Sequence, residues 1–554
     1  MKHDPWIRLG LLGTGLIAST LFIHVPVEVW AGNVAEFHSP AVPLLTSALG
    51  AAAAALAIAA AVLLVIPRGA RPLVAALAAA IGVVAWVYAF PLAADMTALT
   101  GREAPANLET PLGVWELPVV AVAVVLLALV LVRIPAAAIA GLLVLHVGLG
   151  LITTVRAGSA RQVSASRARA DSSGSTSPFR FAPAGNVLVV VMDGLQADVA
   201  GELLRQDPGL RSAFDGFLFF PDALGVAPTT FLSVPAVHAG RVYRGPGPMA
   251  RYFTESIERH SFMNRFARAG YATTLVNPVE GVCPSLVATC AAAAGFLRTP
   301  GAQLRLEWPR LLDLSLFRAS PAWLKARIYA GGQWLLSSRV ETPHEIGQVL
   351  DGIRIFHEIA RRATVAPGAP ALTFVHSLAT HTPYVLAEDC RTLLPTSLAL
   401  RWSQSRCALL AVGALLEWLK AEGVYDDSLV LLVADHGMNP GIFADGPGGR
   451  VAWRHLAGSA NPAFLLKPFG SRGPLQKSPA PVYLPDVGAT LCAATGACRA
   501  PVGFPAGEAP SGRRRLFAYY EWKHEYWSAG EIPRLTRYEV RGPLAQAGSW
   551  RRLD

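Results

Sequence analysis

The sequence predicts a two-part molecule: five membrane-crossing helices at the N-terminus, then an exported α/β domain with a mostly parallel central sheet. Three observations carry that expectation. The chain has 554 residues, 53% of them hydrophobic and only 16% charged, whereas soluble domains are nearer a quarter charged. The apolar excess, which lifts mean hydropathy to +0.39, lies almost wholly before residue 155. Beyond residue 180, short β-branched runs alternate with longer helical stretches, as strands alternate with crossover helices.

Residues 1–155 hold five apolar segments, at 7–25, 41–66, 72–92, 112–132 and 135–155. Each is long enough for a bilayer core that takes about 20 helical residues. Four further segments behind the first argue against a cleaved signal peptide. The presumed inner loops carry Lys2, Arg8, Arg68, Arg71 and Arg133. The outer ones carry Arg102 with Glu28, Glu36, Asp95, Glu103 and Glu109. The positive-inside rule then places the N-terminus in the cytoplasm and everything after the fifth crossing outside. Arg156, Arg161, Arg167 and Arg169 run against the rule, which long translocated domains often ignore.

Residues 156–180, rich in Ser, Ala, Arg and Gly, read as a flexible linker. In residues 181–554 the expected strands are 187–191, 272–276, 371–376, 428–433 and 463–466. The expected helices include 257–269, 346–363 and 398–421. The run at 187–191 is apolar on both faces and so reads as a strand buried inside a parallel sheet. Residues 512–554 are rich in Arg, Tyr and Trp and form a candidate C-terminal subdomain.

The six cysteines fall as three close couples: Cys283 and Cys290, Cys390 and Cys407, Cys492 and Cys498. Six cysteines allow 15 pairings, of which neighbour pairing is the simplest. Buried free thiols are the alternative, and the absence of C-x-x-C spacing disfavours zinc. Disulfides fit an oxidising compartment outside the cytoplasm. The net charge of +10 comes with no lysine-rich tract and no nucleic-acid motif. It therefore points to a membrane surface or an anionic substrate, not to nucleic acid.

Polar residues gather where strands end, which is where open α/β sheets place their ligands. Asp193 follows the run at 187–191, and Asp435-His436-Gly437 follows the run at 429–433. Thr229, Thr230 and Ser233 lie in Pro228-Thr-Thr-Phe-Leu-Ser-Val-Pro235, and His376 to Tyr384 reads His-Ser-Leu-Ala-Thr-His-Thr-Pro-Tyr. Singly, each has a plain explanation as a helix cap or a turn. Together, two carboxylates, a histidine and a hydroxyl could bind a divalent cation with mixed N and O ligands. Such a cation would lower the pKa of a threonine hydroxyl and make it a nucleophile.

This set resembles the alkaline phosphatase/sulfatase superfamily, and the membrane helices resemble its membrane-anchored branch of phosphoethanolamine and phosphoglycerol transferases, with a lipoteichoic acid synthase-like architecture. The resemblance implies an alkaline phosphatase-like fold for the exported domain. It implies Asp193, Thr230, Asp435 and His436 as metal ligands, Thr230 as nucleophile over its rivals Thr229 and Ser233, and His381 as the residue that contacts the transferred group or protonates the leaving oxygen. His455 matches a second substrate-binding histidine or a surface residue, and Asp486 a helix cap. One divalent cation, zinc or manganese, is implied; the histidines of a full two-metal site are not evident.

The resemblance also implies the partners: a membrane phospholipid as donor and a lipid or glycan as acceptor, met at the outer side of a bacterial cytoplasmic membrane. Departures bear on the subfamily. Sulfatases need Cys or Ser at the nucleophile and Arg four residues later, where this chain has Thr230 and Val234. Gly194 stands where they carry a second aspartate, and Asp193 itself stands where the transferases have glutamate. The alternatives are a membrane-tethered phosphate-ester or sulfate-ester hydrolase with the same residues and a non-catalytic protein that binds lipid or a partner.

Overall fold

The computed structural model describes residues 4–33, 37–92, 113–131, 179–245, 247–332, 334–339, 344–438, 451–499, 502–522, 526 and 533–553, with scattered positions between 137 and 152. The chain divides into two compact units: Met1–Val163 with Arg298–Pro343, and Ser164–Leu297 with His344–Asp554.

Among the described residues of the first unit, four helices are long and apolar enough to cross a membrane: Pro5–Gly32, Ala41–Val65, Arg71–Ala89 and Gly113–Leu131. They coincide with the first four expected segments. The fifth, at 135–155, and the linker up to residue 178 fall outside the described residues apart from scattered positions. The first helix passes through a π-helical stretch at Ser19–His24 before resuming at Val25–Gly32. Glu116 is buried and accepts a hydrogen bond from the Tyr88 hydroxyl at 2.9 Å.

Residues 298–343, which sequence alone places inside the exported domain, pack with these helices. Helix Pro300–Arg318 buries Leu311, Leu314 and Phe317 against Val25, Val29 and Trp30. Polar contacts fix its register. Glu307 accepts from the His38 and Ser39 amides at 2.6 and 2.9 Å, and Ser315 Oγ donates to the Leu21 carbonyl at 2.7 Å. Arg318 Nε donates to the Ala89 carbonyl at 2.7 Å while its Nη1 lies 2.7 Å from Glu28 Oε2. Nothing in an amphipathic helical sequence states which of two apolar surfaces it will cover, so this pairing is visible only in three dimensions.

The second unit is organised on an eight-stranded sheet. With β1 at Arg180–Phe181, its strands are β2 (Asn186–Met192), β3 (Leu218–Phe219), β4 (Ala272–Val276), β5 (Thr289–Ala291), β7 (Ala371–Ser377), β8 (Ser428–Val433), β9 (Phe464–Lys467) and β10 (Gln476–Lys477). A separate two-residue strand, β6 (Thr364–Val365), pairs with β1. The sheet order is β10-β3-β9-β8-β2-β7-β4-β5. β7, β2 and β8 run parallel at its centre, and β9 is antiparallel to β8 and β3. The sheet is therefore mostly parallel, as expected.

β2 is buried on both faces. Leu188, Val190 and Met192 pack under Ile355, Phe356, Leu415 and Leu416. Val187, Val189 and Val191 pack on the other side with Leu232, Ala236, Phe262 and Leu491. Helices form where periodicity predicts them, at His344–Arg362 and Arg401–Ala421. The single helix expected at 257–269 is two, Met249–His260 and Phe262–Arg268. Ser261 separates them in an extended conformation and caps the second through the Met263 amide. At the C-terminus, β11 (Arg515–Tyr519), β12 (Thr536–Val540) and β13 (Trp550–Arg552) make a three-stranded antiparallel sheet. All three neighbouring cysteine couples are disulfide-bonded.

Candidate metal centre

The register of three central strands builds the site. Val191 of β2 pairs with His376 of β7 and with Val433 of β8. Asp193 and Asp435 therefore leave their strands at the same level, two residues past matched valines. His376 sits level with those valines, and its longer side chain reaches forward to put Nε2 3.3 Å from Asp193 Oδ2. One ligand atom each from Asp193, His376 and Asp435 lies within 4.8 Å of the others, a spacing that fits a shared cation.

Backbone geometry holds the two aspartates. The Asp193 amide donates to the Ser377 carbonyl at 2.9 Å, and its carbonyl accepts from Thr380 Oγ1 at 2.7 Å. Asp435 Oδ1 accepts from the Gly194 and His436 amides at 3.1 and 2.9 Å. Gly194 turns with φ +71°, where a Cβ would meet Met438 at 2.8 Å. This local demand explains glycine at the position where sulfatases carry a second aspartate. At Gly437 a Cβ would lie 2.0 Å from the Gly458 carbonyl oxygen, so the turn after His436 admits glycine alone.

His436 Nδ1–H donates to the Gly437 carbonyl at 2.9 Å, leaving Nε2 as the lone-pair nitrogen. That nitrogen lies 3.4 Å from Asp435 Oδ2 and 3.6 Å from Asp193 Oδ1. Thr230 opens helix Thr230–Ala239. Its hydroxyl donates to Asp193 Oδ2 at 3.2 Å and stands 3.3 Å from His436 Nε2. Thr230 is half-buried, whereas Asp193, His376, Asp435 and His436 are buried. The hydroxyl thus sits between an enclosed charge cluster and the outside.

The rival hydroxyls point elsewhere: Ser233 donates to the Ala227 carbonyl at 3.0 Å, and Thr229 pairs with the Tyr520 hydroxyl. His381 is half-buried, its Nδ1–H donating to the Thr382 carbonyl at 2.7 Å, and its charge acts on Asp193. His455 lies on helix Val451–Ala460, and among the described residues no hydrogen bond or ion pair joins its side chain to the cluster. Asp486 accepts from the Tyr483 amide and pairs with Arg513 at 2.6 Å, the role of a cap.

The electrostatics are those of a site short of positive charge. Burial alone would raise Asp193, yet His381, His376 and His436 together hold its carboxyl well below the usual range. Asp435 goes the other way, raised by burial and then by the negative charge of Asp193. Burial opposes charge on His436, but Asp435 and Asp193 outweigh it and raise the imidazole. Asp193 Oδ1, Asp435 Oδ2 and both ring nitrogens of His376 are buried without a hydrogen-bond partner. Unsatisfied buried acceptors around a common centre are what a cation would relieve, so the residues present fit a divalent metal.

His376 is the member of the cluster that motif reading leaves without a role. Its signal was available: it is the first ionisable residue at the carboxyl end of a fully buried strand, the criterion that selects Asp193.

A mostly parallel α/β sheet with a carboxylate–imidazole cluster at its strand ends and a hydroxyl beside it is an arrangement able to hold a divalent cation next to a nucleophile. A family model described as Sulfatase matches residues 185–497, and the chain belongs to that family, whose enzymes use divalent metals. It is an enzyme of the sulfatase-family type. No match is found among curated proteins. Among solved structures, an alkaline phosphatase superfamily protein from Vibrio parahaemolyticus matches at 13% identity and TM-score 0.41, over 71% of this chain and 91% of that one. The lipoteichoic acid synthase LtaP from Listeria monocytogenes matches at 12% and 0.34, over 59% and 74%. A phosphonate monoester hydrolase of Agrobacterium radiobacter matches at 13% and 0.35, over 66% and 88%.

Proposed function

We propose that the chain is a metal-dependent transferase that moves a phospholipid head group, of the phosphoethanolamine or phosphoglycerol type, to a lipid or glycan acceptor at the outer side of the cytoplasmic membrane. The observation that carries this reading is the Thr230 hydroxyl, 3.2 Å from Asp193 and 3.3 Å from His436 at the open edge of the cluster. Threonine cannot become the formylglycine of a sulfatase, but it can carry a phosphoryl group. Four apolar helices in the same chain favour a donor that lives in the bilayer, and three disulfides favour an exported domain.

Asp193, Asp435, His436 and His376 would hold the cation, zinc or manganese. When bound, it lowers the pKa of the adjacent hydroxyl and offsets charge on the phosphoryl oxygens. In the first half-reaction a bond forms between Thr230 Oγ1 and phosphorus as the bond to the lipid alcohol breaks. Thr230 enters already deprotonated, its proton given to solvent, and is released in the same form by the second half-reaction; the departing alcohol gains a proton that His381 delivers as general acid. In the second, an acceptor hydroxyl attacks phosphorus and frees Thr230, with His381 taking the acceptor's proton. The hydrolytic alternative uses the same residues with water as acceptor, and aspartate at position 193 favours it.

The test is mass spectrometry of the full chain turned over on phosphatidylethanolamine and phosphatidylglycerol vesicles. A phosphoethanolamine or phosphoglycerol adduct on Thr230 and loss of turnover in Thr230→Ala are expected; wild-type turnover in that variant refutes the assignment. Products formed in ¹⁸O-labelled water separate the two acceptors, since hydrolysis incorporates the label and transfer does not.

A further inference from the structure

The C-terminal segment after β11 reaches the loop that carries Thr230. The Ala518 amide donates to the Val226 carbonyl at 2.8 Å, which joins β11 to the chain four residues before Thr230. Two side-chain contacts then flank Thr230 on either side in sequence. Thr229 occupies the N-cap of helix Thr230–Ala239, where a threonine ordinarily bonds its own helix, yet its side chain makes no cap. Its hydroxyl is engaged with the Tyr520 hydroxyl instead. Tyr520 is buried, and burial pushes its pKa well above the ordinary phenol value, so its hydroxyl stays protonated. On the other side, the Phe231 ring stacks on Trp522 with centroids 4.3 Å apart and planes 13° apart.

Trp522 remains 39% exposed. An indole packed on one face and open to solvent leaves a flat apolar surface beside the residue that follows Thr230. Aromatic walls next to a few convergent polar groups are the usual make-up of a site for an organic ligand. A phosphate ester at Thr230 brings such a group, namely the alcohol or head group attached to phosphorus.

We propose that Trp522, stacked on Phe231, is the subsite for the organic part of the phosphodiester, and that Tyr520 is a positioning residue that sets Thr230 through Thr229. The proposal rests on the transferase reading above and names the side of that site which selects the substrate. The indole accepts either an ammonium group over its face or the CH face of a glycerol or sugar. The two are separated by experiment. The cluster at Asp193 and Asp435 recognises phosphorus and is indifferent to what the phosphorus carries. Selectivity among donors then resides in the C-terminal subdomain.

Binding is measured on the full chain in the inactive Thr230→Ala background, with short-chain phosphatidylethanolamine, short-chain phosphatidylglycerol and inorganic phosphate as probes. Adding Trp522→Ala is expected to weaken the preferred phospholipid about tenfold, the scale of one lost aromatic contact. Inorganic phosphate should bind as before, and Trp522→Phe should restore most of the loss. Preference for the ethanolamine lipid assigns the face to an ammonium, and preference for the glycerol lipid to a hydroxylated chain. In otherwise native protein, Tyr520→Phe should lower kcat about tenfold with KM unchanged, as expected for a residue that acts by orientation. Equal phospholipid affinity with and without Trp522, no phospholipid binding beyond that of phosphate, or an unchanged kcat in Tyr520→Phe overturns the corresponding half. A wild-type chain that never carries phosphate on Thr230 removes the transferase reading, while the binding measurements still decide the subsite.

Discussion

Removing the cation should cost the second unit stability in proportion to what it leaves unsatisfied. Asp193 Oδ1, Asp435 Oδ2 and the His376 ring are buried and have no hydrogen-bond partner. A buried polar group without a partner costs about 1–3 kcal/mol. Three such residues would give a loss of roughly 3–9 kcal/mol on that scale. The lower end applies, because histidine nitrogens already stand 3.3–3.6 Å from the carboxylates and offset part of their charge. Mass action gives a similar figure, about 2.7 kcal/mol at a free metal concentration one hundred times Kd. At about 2 °C per kcal/mol for a unit of this size, chelation should lower its melting temperature by roughly 6 °C. Calorimetry of the full chain in detergent, with chelator and then with zinc or manganese restored, measures this directly. The shift should shrink to about 1 °C in Asp435→Asn, which removes a charge and a ligand together. Coincident melts with and without chelator, in protein that elemental analysis shows to have held metal, refute the reasoning.

Gly437→Ala places a Cβ 2.0 Å from a backbone oxygen that cannot rotate away; it should cost about 3 kcal/mol by chemical denaturation and displace His436, with turnover lost. Arg318→Met strands Glu28 beside an apolar surface and should lower detergent-phase stability by about 3 kcal/mol. The double variant with Glu28→Gln should recover most of that, and equal losses in single and double would show that the ion pair is not what matters. Lys467 is buried, donates to the Tyr425, Ser428 and Pro468 carbonyls, and is pulled by burial from 10.5 to about 8. The unfolded chain therefore binds more protons between those values, so stability rises as pH climbs from 8 to 10.5 and falls on the way back. Thermal melts across that range should lose the rise in Lys467→Met.

The central strands were legible in the sequence because burial on both faces leaves an uninterrupted apolar run, as at Val187–Val191 and Leu429–Val433. The strands β3, β5 and β10 were not, since two or three residues cannot display a period. The break at Ser261 depends on one backbone angle and a cap, which apolar spacing does not record. Within the site, Asp193, Thr230, Asp435 and His436 could be picked by motif, and the structure brings these four together. His376 joins them through strand register, a relation between Val191 and His376 that lies 185 positions apart in sequence. Tyr520 and Trp522 are further still from Thr230 along the chain, and no local pattern connects them.

The placement of residues 298–343 alters what it means to cut this molecule in two. The chain passes between its units at 163, 297 and 343, so a protease acting in the stretch 156–178 severs one covalent connection and leaves helix Pro300–Arg318 seated on the N-terminal helices. The two fragments should therefore copurify, and separately expressed halves should reassemble like a split reporter. A soluble version begun at residue 164 would instead bare Leu311, Leu314 and Phe317 to water. Its solubility would be restored by deleting the insertion, not by moving the starting residue.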